Sequence, residues 1–435
     1  MSRLLSWEQI TKVVNQVHVP LDRLNGPRSN SQATLRLFGS DAKNVSVTLY
    51  RDHHAWCPYC QKIWLWLEAK RVPYRIEKIS MFCYGDKEPW YQRLCRSGML
   101  PAVKIDNRII TESDDILMAL ENKFGALHAS MTDSHVIPLR RLERLLFRAW
   151  CQWLCYPARG ASEESANRVQ FEQVVQQVEL SLSKTKSHGP FFLDKFSVVD
   201  CVFTPYVERM NASLFYYKGF LLRDSRKWPN LAKWFNGLEQ QNFYIGTQSD
   251  FHTHVHDLPP QMGGCYHNGT EQQLVNQNKV DSGLAVDLPD TLIKEPQDAR
   301  FEAAFRVLTH RESMLTVNPF AQTDEGKENK NLVDTSLRCA LTYLVNGESV
   351  CPPFTSPKSA MQAACSLRYI KDRVSVPRDM SVWAARRLRS ALEHTAELSI
   401  AAAGLDESEV RAAQVPISSR NRRDQNPRYL YIYIY

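Results

Sequence analysis

The chain has 435 residues, and 54 Lys and Arg against 47 Asp and Glu leave a net charge of +7. A surplus this small, with no long basic stripe interleaved with aromatics, argues against nucleic-acid binding but does not oppose an anionic small ligand. No apolar run reaches the roughly 18 residues of a membrane span, and the length exceeds the ~250–300 residues that one core serves, so two or three domains are expected. Hydrophobic residues at 43% fit a globular chain. Eleven cysteines, an odd count in a long sequence, read as reduced thiols and not as a disulfide framework. The opening MSRLLSWEQITKVVNQ lacks the apolar core of a secretory signal and the Arg/Ser bias of a transit peptide. The expected location is the cytoplasm or plastid stroma, not the exterior.

Residues 1–44 read as an N-terminal extension, with a short helix from Trp7 to Val14 and then the polar stretch RLNGPRSNSQ. At Val45 the character changes. VSVTLY alternates β-branched residues as a strand does, and CPYCQKIWLWLEAKRV then carries Ile63, Trp64 and Leu67 on one side of a helix. Tyr74–Ile79 alternates as a second strand, Pro89–Arg96 is helical, AVKI and RIIT are short strands, and a helix runs from Ser113 to about Phe124. The order β-α-β-α-β-β-α is the thioredoxin arrangement, so residues 45–125 form a thioredoxin-like domain.

Residues 126–250 are helical throughout, as HVIPLRRLERLLFRAWCQWLC and NRVQFEQVVQQVELSLSKT show by apolar spacings of three and four. Residues 251–295 turn polar and Pro/Gly-rich and read as a linker or draping loop. Helical patterns return over 296–415 in ARFEAAFRVLTH, LRCALTYLV, SAMQAACSLRYI and MSVWAARRLRSALEHTAEL, giving an extra helical domain. Residues 416–435 are a basic tail ending in a Tyr/Ile alternation, an exposed-strand hazard in isolation. The fold class is α/β plus all-α.

The sharpest chemical signal is Cys57-Pro58-Tyr59-Cys60. A cysteine at a helix start after a strand meets unpaired backbone N–H groups and the positive helix end, which favour an anionic sulfur. Pro58 suits the first turn, where its missing donor is not needed. Cys60, one turn on, is placed to attack a mixed disulfide at Cys57. The alternatives are half a zinc site or two core cysteines, and no second Cys-x-x-Cys exists to complete a zinc site. Leu100-Pro101 opens the strand AVKI about forty residues later, where a thioredoxin fold places a cis proline that leaves the preceding backbone free to pair with a peptide. Glu112-Ser113 joins the last strand to its helix: Ser113 is read as the N-cap, the helix start suits a carboxylate and Glu112 an ammonium group. A simple helix cap is the competing account. In Ser197-Val198-Val199-Asp200, Ser197 and Asp200 form a capping box, a structural motif and not a catalytic one.

These features together resemble a glutathione transferase of the cysteine-containing kind over Val45 to Gly246. The CPYC site, the segment HTHVHDLPPQMGGCY and the long C-terminal addition are most similar to the iota class, which occurs in photosynthetic organisms. The resemblance implies glutathione as cosubstrate without a metal. It makes Cys57 the nucleophile, and has Leu100 with Pro101 hold the cysteinyl backbone of glutathione and Glu112 with Ser113 its γ-glutamate. Lys87 falls where relatives bind the glycyl carboxylate; an idle exposed lysine is the other account. Tyr59 flanks the thiol. A cysteine in place of the hydroxyl of other transferases shifts the expected chemistry toward thiol exchange with a small or protein-bound disulfide, or toward dehydroascorbate-type reduction. Conjugation to electrophiles, and a non-catalytic binding or scaffold module, are the alternatives. The oligomeric state is left open.

Two further groups stand outside this site. His252, His254 and His256 with Asp257 would share one face for a metal if the chain there were extended, although a short His run is more often structural. Cys151 and Cys155, four apart on a helix, make either a second thiol pair or part of a core face. Cys83, Cys95 and Cys201 read as small core residues.

Overall fold

The structure, a computed structural model, describes residues 3–185, 189–285, 287–322 and 327–426. Helix α1 (Trp7–Val17) starts at a reciprocal cap in which Ser6 and Gln9 satisfy each other's backbone N–H. One sheet follows, built from β1 (Leu35–Arg36), β2 (Val47–Asp52), β3 (Tyr74–Ile79), β4 (Ala102–Ile105) and β5 (Arg108–Thr111) in the order β1-β3-β2-β4-β5. β2 and β3 are parallel with Leu49 opposite Ile76, which requires a crossover; β4 and β5 return antiparallel, with Leu49 opposite Val103.

The crossover is α2 (Pro58–Lys70), and α3 (Pro89–Leu94) and α4 (Ser113–Phe124) complete the unit. Helix α2 was expected to bury one side. It is buried nearly all round, from Cys60 to Glu68, because the helical layer covers the side that the sheet does not. The extension before Val45 is not a free arm. β1 lies within it and pairs with β3, and Arg36 makes a buried two-pronged ion pair with Glu68 of α2 at 2.9 and 3.0 Å.

The helical layer contains α5 (Val136–Leu154), α6 (Ala161–Ser183), α7 (Val198–Lys218), α8 (Pro229–Glu239) and α9 (Asn242–Ile245). Every residue of α7 is buried, and it packs on both α2 and α5. The stretch 251–295 departs from the linker reading: it holds α10 (Phe251–Met262) and α11 (Glu271–Ser282), both packed on α7. Asp250 caps α10 by accepting from Thr253 N at 2.9 Å, so the helix forms despite Pro259 and Pro260 in its last turn.

The third unit comprises α12 (Ala299–Val317), α13 (Lys327–Asn346), α14 (Pro357–Lys371), α15 (Val382–Ala403) and α16 (Glu407–Ala413). Its core includes Ile10 and Val14 of α1, so the first helix of the chain belongs to the last unit. This unit is fastened to the rest by Arg389 with Asp250, Arg386 with Asp290, and Val376 N donating to Thr253 Oγ1 at 2.9 Å. The segment after α16 also differs from the exposed tail expected for 416–435. Arg422 is buried, donates from its backbone to Cys83 O at 2.7 Å and pairs with Asp257 at 2.6 Å. The Tyr/Ile alternation, 427–435, lies outside the described residues.

Candidate active site

β2 is the central strand, and its C-terminal residue Asp52 begins the turn into α2. Asp52 Oδ2 accepts from Trp56 N at 2.6 Å and braces that turn, in which Ala55 takes φ +56°. Cys57 is the N-cap of α2 and Pro58 its first residue; Gln61 N closes the first turn on Cys57 O at 3.0 Å. Cys57 is 6% exposed and Cys60 1%, and their sulfurs lie within 4.8 Å of each other. Burial, then Cys57 and the charge of Asp52, push the Cys60 thiol well above the usual range. Asp52 is itself fully buried, and its Oδ1 has no hydrogen-bond partner among the described residues. A ligand atom of Asp52, Cys57 and Cys60 each lie within 4.8 Å of one another.

Buried cations surround this group. Arg209 of α7 donates to Gln61 Oε1 at 2.9 Å, to Pro205 O at 2.5 Å and to Trp56 O, and its guanidinium lies 4.7 Å over the Trp56 ring. Lys87 is not the exposed lysine of the competing account: it is 6% exposed, donates to Ser80 O at 3.1 Å and sits 4.8 Å over Phe82. Burial lowers its pKa, while Cys60, Glu88, Cys57 and Asp52 act in the opposite sense. Cys57 likewise favours the charged form of Arg209. Both cations are therefore within electrostatic reach of the thiol pair.

The Leu100–Pro101 peptide is cis. Glu112 and Ser113 adjoin the last strand, but the cap lies one residue earlier than expected. Glu112 is the N-cap of α4, exposed, with φ +61°, a backbone region that costs a non-glycine residue of order 1–3 kcal/mol. Ser113 is the first helical residue, so its hydroxyl is not placed to cap; it accepts instead from Lys62 Nζ at 3.0 Å. Lys62 also pairs with Asp114 at 2.9 Å, and Arg140 holds the other Asp114 oxygen at 2.8 Å. Burial opposes the Asp114 charge, but these two cations outweigh it and lower its pKa. Tyr59 is exposed, its ring edge-on to Tyr206 of α7 at 5.7 Å. In the helical layer Ser197 Oγ accepts from Val199 N at 3.3 Å, and Asp200 accepts from Ser197 N at 2.9 Å and from Trp234 Nε1 at 2.9 Å.

Asp52, Cys57 and Cys60 are the one group among the described residues compact enough to share a metal ion. The histidine run is not, because that stretch is helical and a turn of about 100° per residue sends alternate side chains to different faces. His252 and His256 meet at 4.6 Å, His256 pairs with Asp281 at 3.0 Å, and His254 faces Glu208 at 3.4 Å. Asp52 and Arg209 are absent from the sequence reading. An acidic residue ending a strand five positions before Cys57 was a signal for the first; Arg209, one of several polar residues in a fully buried helix, offered none.

A thiol pair at a helix start, against the end of a parallel strand and roofed by a long helix of a second layer, defines a thioredoxin-fold thiol protein with a helical partner domain. Residues 56–123 match the family model described as "Glutathione S-transferase, N-terminal domain", and 139–237 match "Glutathione S-transferase, C-terminal domain". Over these two stretches the chain has the paired domains of a glutathione S-transferase. It is similar to "Glutathione S-transferase L2, chloroplastic" of Arabidopsis thaliana, 26% identical over 248 residues, or 56% of this chain and 76% of that protein. "Glutathione S-transferase DHAR3, chloroplastic" of the same plant is 25% identical over 170 residues, 39% of this chain and 60% of that one. Among solved structures, a dehydroascorbate reductase of Chlamydomonas reinhardtii aligns with a TM-score of 0.38 at 23% identity, covering 45% of this chain and 89% of that one.

Proposed function

We propose that the chain is a glutathione-dependent thioltransferase acting through Cys57. The observation that carries the reading is the buried group of Cys57 at the helix start, Cys60 within 4.8 Å of it, and the unpartnered carboxylate oxygen of Asp52. The Cys57 thiolate attacks the glutathione sulfur of a mixed disulfide R–S–SG; the old S–S bond breaks, R–S⁻ leaves, and Cys57–SG forms. Cys60 then gives its proton to Asp52, attacks the Cys57 sulfur and expels glutathione as the thiolate, leaving a Cys57–Cys60 disulfide for further glutathione to reduce. In the monothiol branch a second glutathione attacks the glutathione sulfur of Cys57–SG, giving glutathione disulfide and free Cys57. Reduction of dehydroascorbate enters the same cycle by another first step: the Cys57 thiol and one glutathione give it two electrons and two protons, and become Cys57–SG.

In this reading Leu100 and Pro101 hold the cysteinyl backbone of glutathione, and the α4 start with Glu112 and Ser113 takes the γ-glutamate. Buried Lys87 serves the thiol pair as a nearby positive charge as well as the glycyl carboxylate, and Tyr59 borders the opening. The relatives named as chloroplastic transferases support a plastid setting, with the cytoplasm as the alternative, and the CPYC site with the added helical unit supports the iota class. Domain limits at 45–125, 126–250 and 296–415 are part of the same proposal, with α1 assigned to the last unit.

Mass spectrometry of the protein after treatment with glutathione disulfide tests it, comparing wild type with Cys57→Ser and Cys60→Ser. One glutathione adduct trapped in Cys60→Ser and missing from Cys57→Ser is the expected result. An adduct pattern indifferent to Cys57 would sink the reading in favour of a transferase-shaped binding module.

A further inference from the structure

We propose that Cys155 and Cys265 form a second redox-active thiol pair, independent of Cys57 and Cys60. Cys155 is the C-cap of α5, its N donating to Cys151 O at 2.8 Å, and Cys151, Cys155 and Cys265 all pack against the same core. The juxtaposition is built by the backbone. Gly263 ends α10 in the left-handed region at φ +80°, and the chain then runs to Tyr266, whose N donates to Leu154 O at 3.0 Å. Residues 265 and 155 thus flank a backbone hydrogen bond joining two segments. A disulfide between them requires a Cα separation of about 4.4–6.8 Å.

All three thiols are half-buried, whereas Cys201, Cys339 and Cys365 lie inside their cores. A small disulfide therefore has access to this cluster without entering the site at Cys57. Cys151 is the poorer partner, since it lies one turn back on the same helix as Cys155 and a bond between them would join nothing new. Cys151 favours ionisation of Cys155, but Cys265 and burial push its thiol up to about 12. The first attack is assigned to Cys265, which lies on the segment between α10 and α11.

The oxidant is a low-molecular-weight disulfide such as glutathione disulfide. The Cys265 thiolate attacks one of its sulfurs, the S–S bond breaks, and one glutathione leaves as the thiolate and takes up a proton. Cys155 then loses its proton to solvent, and its sulfur attacks that of Cys265 and expels the second glutathione. Two protein thiols are oxidised and one disulfide is reduced to two thiols. The bond joins the end of α5 to the segment entering α11. Phe147 and Arg144, earlier on α5, both contact Tyr206, whose ring borders Tyr59. The pair is thus connected through one helix to the rim of the candidate active site.

The test is a glutathione disulfide titration of the full chain in a Cys57→Ser background, with non-reducing peptide mapping, alongside Cys57→Ser/Cys265→Ser. The expected result is a peptide pair linked through Cys155 and Cys265, with loss of two hydrogens and no retained glutathione. In the second variant the link is absent and circular dichroism is unchanged. A Cys151–Cys155 link, stable glutathione adducts at Cys155 or Cys265, or thiols left unmodified by excess glutathione disulfide would each overturn it. Because the background lacks Cys57, the outcome does not depend on the thioltransferase reading.

Discussion

Asp52→Asn separates two roles of the buried carboxylate by the sign of its effect. As a fixed charge within 4.8 Å of Cys60, Asp52 opposes the Cys60 thiolate. Two unit charges at that separation repel by about 3.5 kcal/mol in an effective dielectric of about 20. If charge were its whole contribution, the near-isosteric amide would ease ionisation of Cys60 and quicken its attack on Cys57–SG. As the proton acceptor, Asp52 does the reverse: general-base assistance is worth about 10²–10⁴-fold, and the amide cannot supply it. The reading given above therefore predicts that Asp52→Asn slows resolution of the adduct by at least about 10²-fold, while adduct formation at Cys57 changes much less. The assay is single-turnover: the enzyme is charged with one glutathione, excess reagent is removed, and the decay of Cys57–SG is followed by acid quench and intact mass. Resolution as fast as wild type, or faster, would refute the proton-acceptor role and leave Asp52 as a brace for the turn at Trp56.

Two further outcomes follow from the packing. Glu68→Gln leaves the fully buried Arg36 guanidinium without its anion, so chemical denaturation should register a loss of about 3–5 kcal/mol; a loss under 1 kcal/mol would mean that β1 and the preceding extension are not integral to the sheet. Burial raises the Asp200 carboxyl to about 6 from an unfolded value of 3.8, so between those pH values the folded chain keeps a proton that the unfolded chain has released. Stability is then highest at the acid end of that window and falls as pH rises through it. Measured against Asp200→Asn, which cannot titrate, wild type should gain about 2 kcal/mol between pH 7 and pH 4; a gap between the two that does not change with pH would contradict this.

The thioredoxin order was legible because each of its elements carries a local pattern: alternation in Tyr74–Ile79, a proline at the first turn of α2, and a strand–turn–strand in AVKI and RIIT. The capping box of α7 was legible for the same reason, its partners being three residues apart. Reading failed where Pro and Gly were taken at face value. Pro259, Pro260 and Gly263 marked a loop, yet the cap at Asp250 and burial against α7 give a helix that happens to end with them. That error carried the histidine run with it, since a common face at alternate positions exists only in an extended chain.

The sequence by itself determined that a cysteine begins a helix after a strand and that a second cysteine stands one turn on, because both facts are local backbone geometry. Only the tertiary structure decided what surrounds them. Asp52 with an unsatisfied oxygen, Arg209 from a helix 150 residues away and the burial of Lys87 arise from packing between segments distant in the chain. So do the attachment of α1 to the last helical unit and the approach of the segment at Tyr266 to the end of α5. Burial and charge proximity depend on which surfaces meet, and periodicity specifies that a face is apolar without specifying its partner.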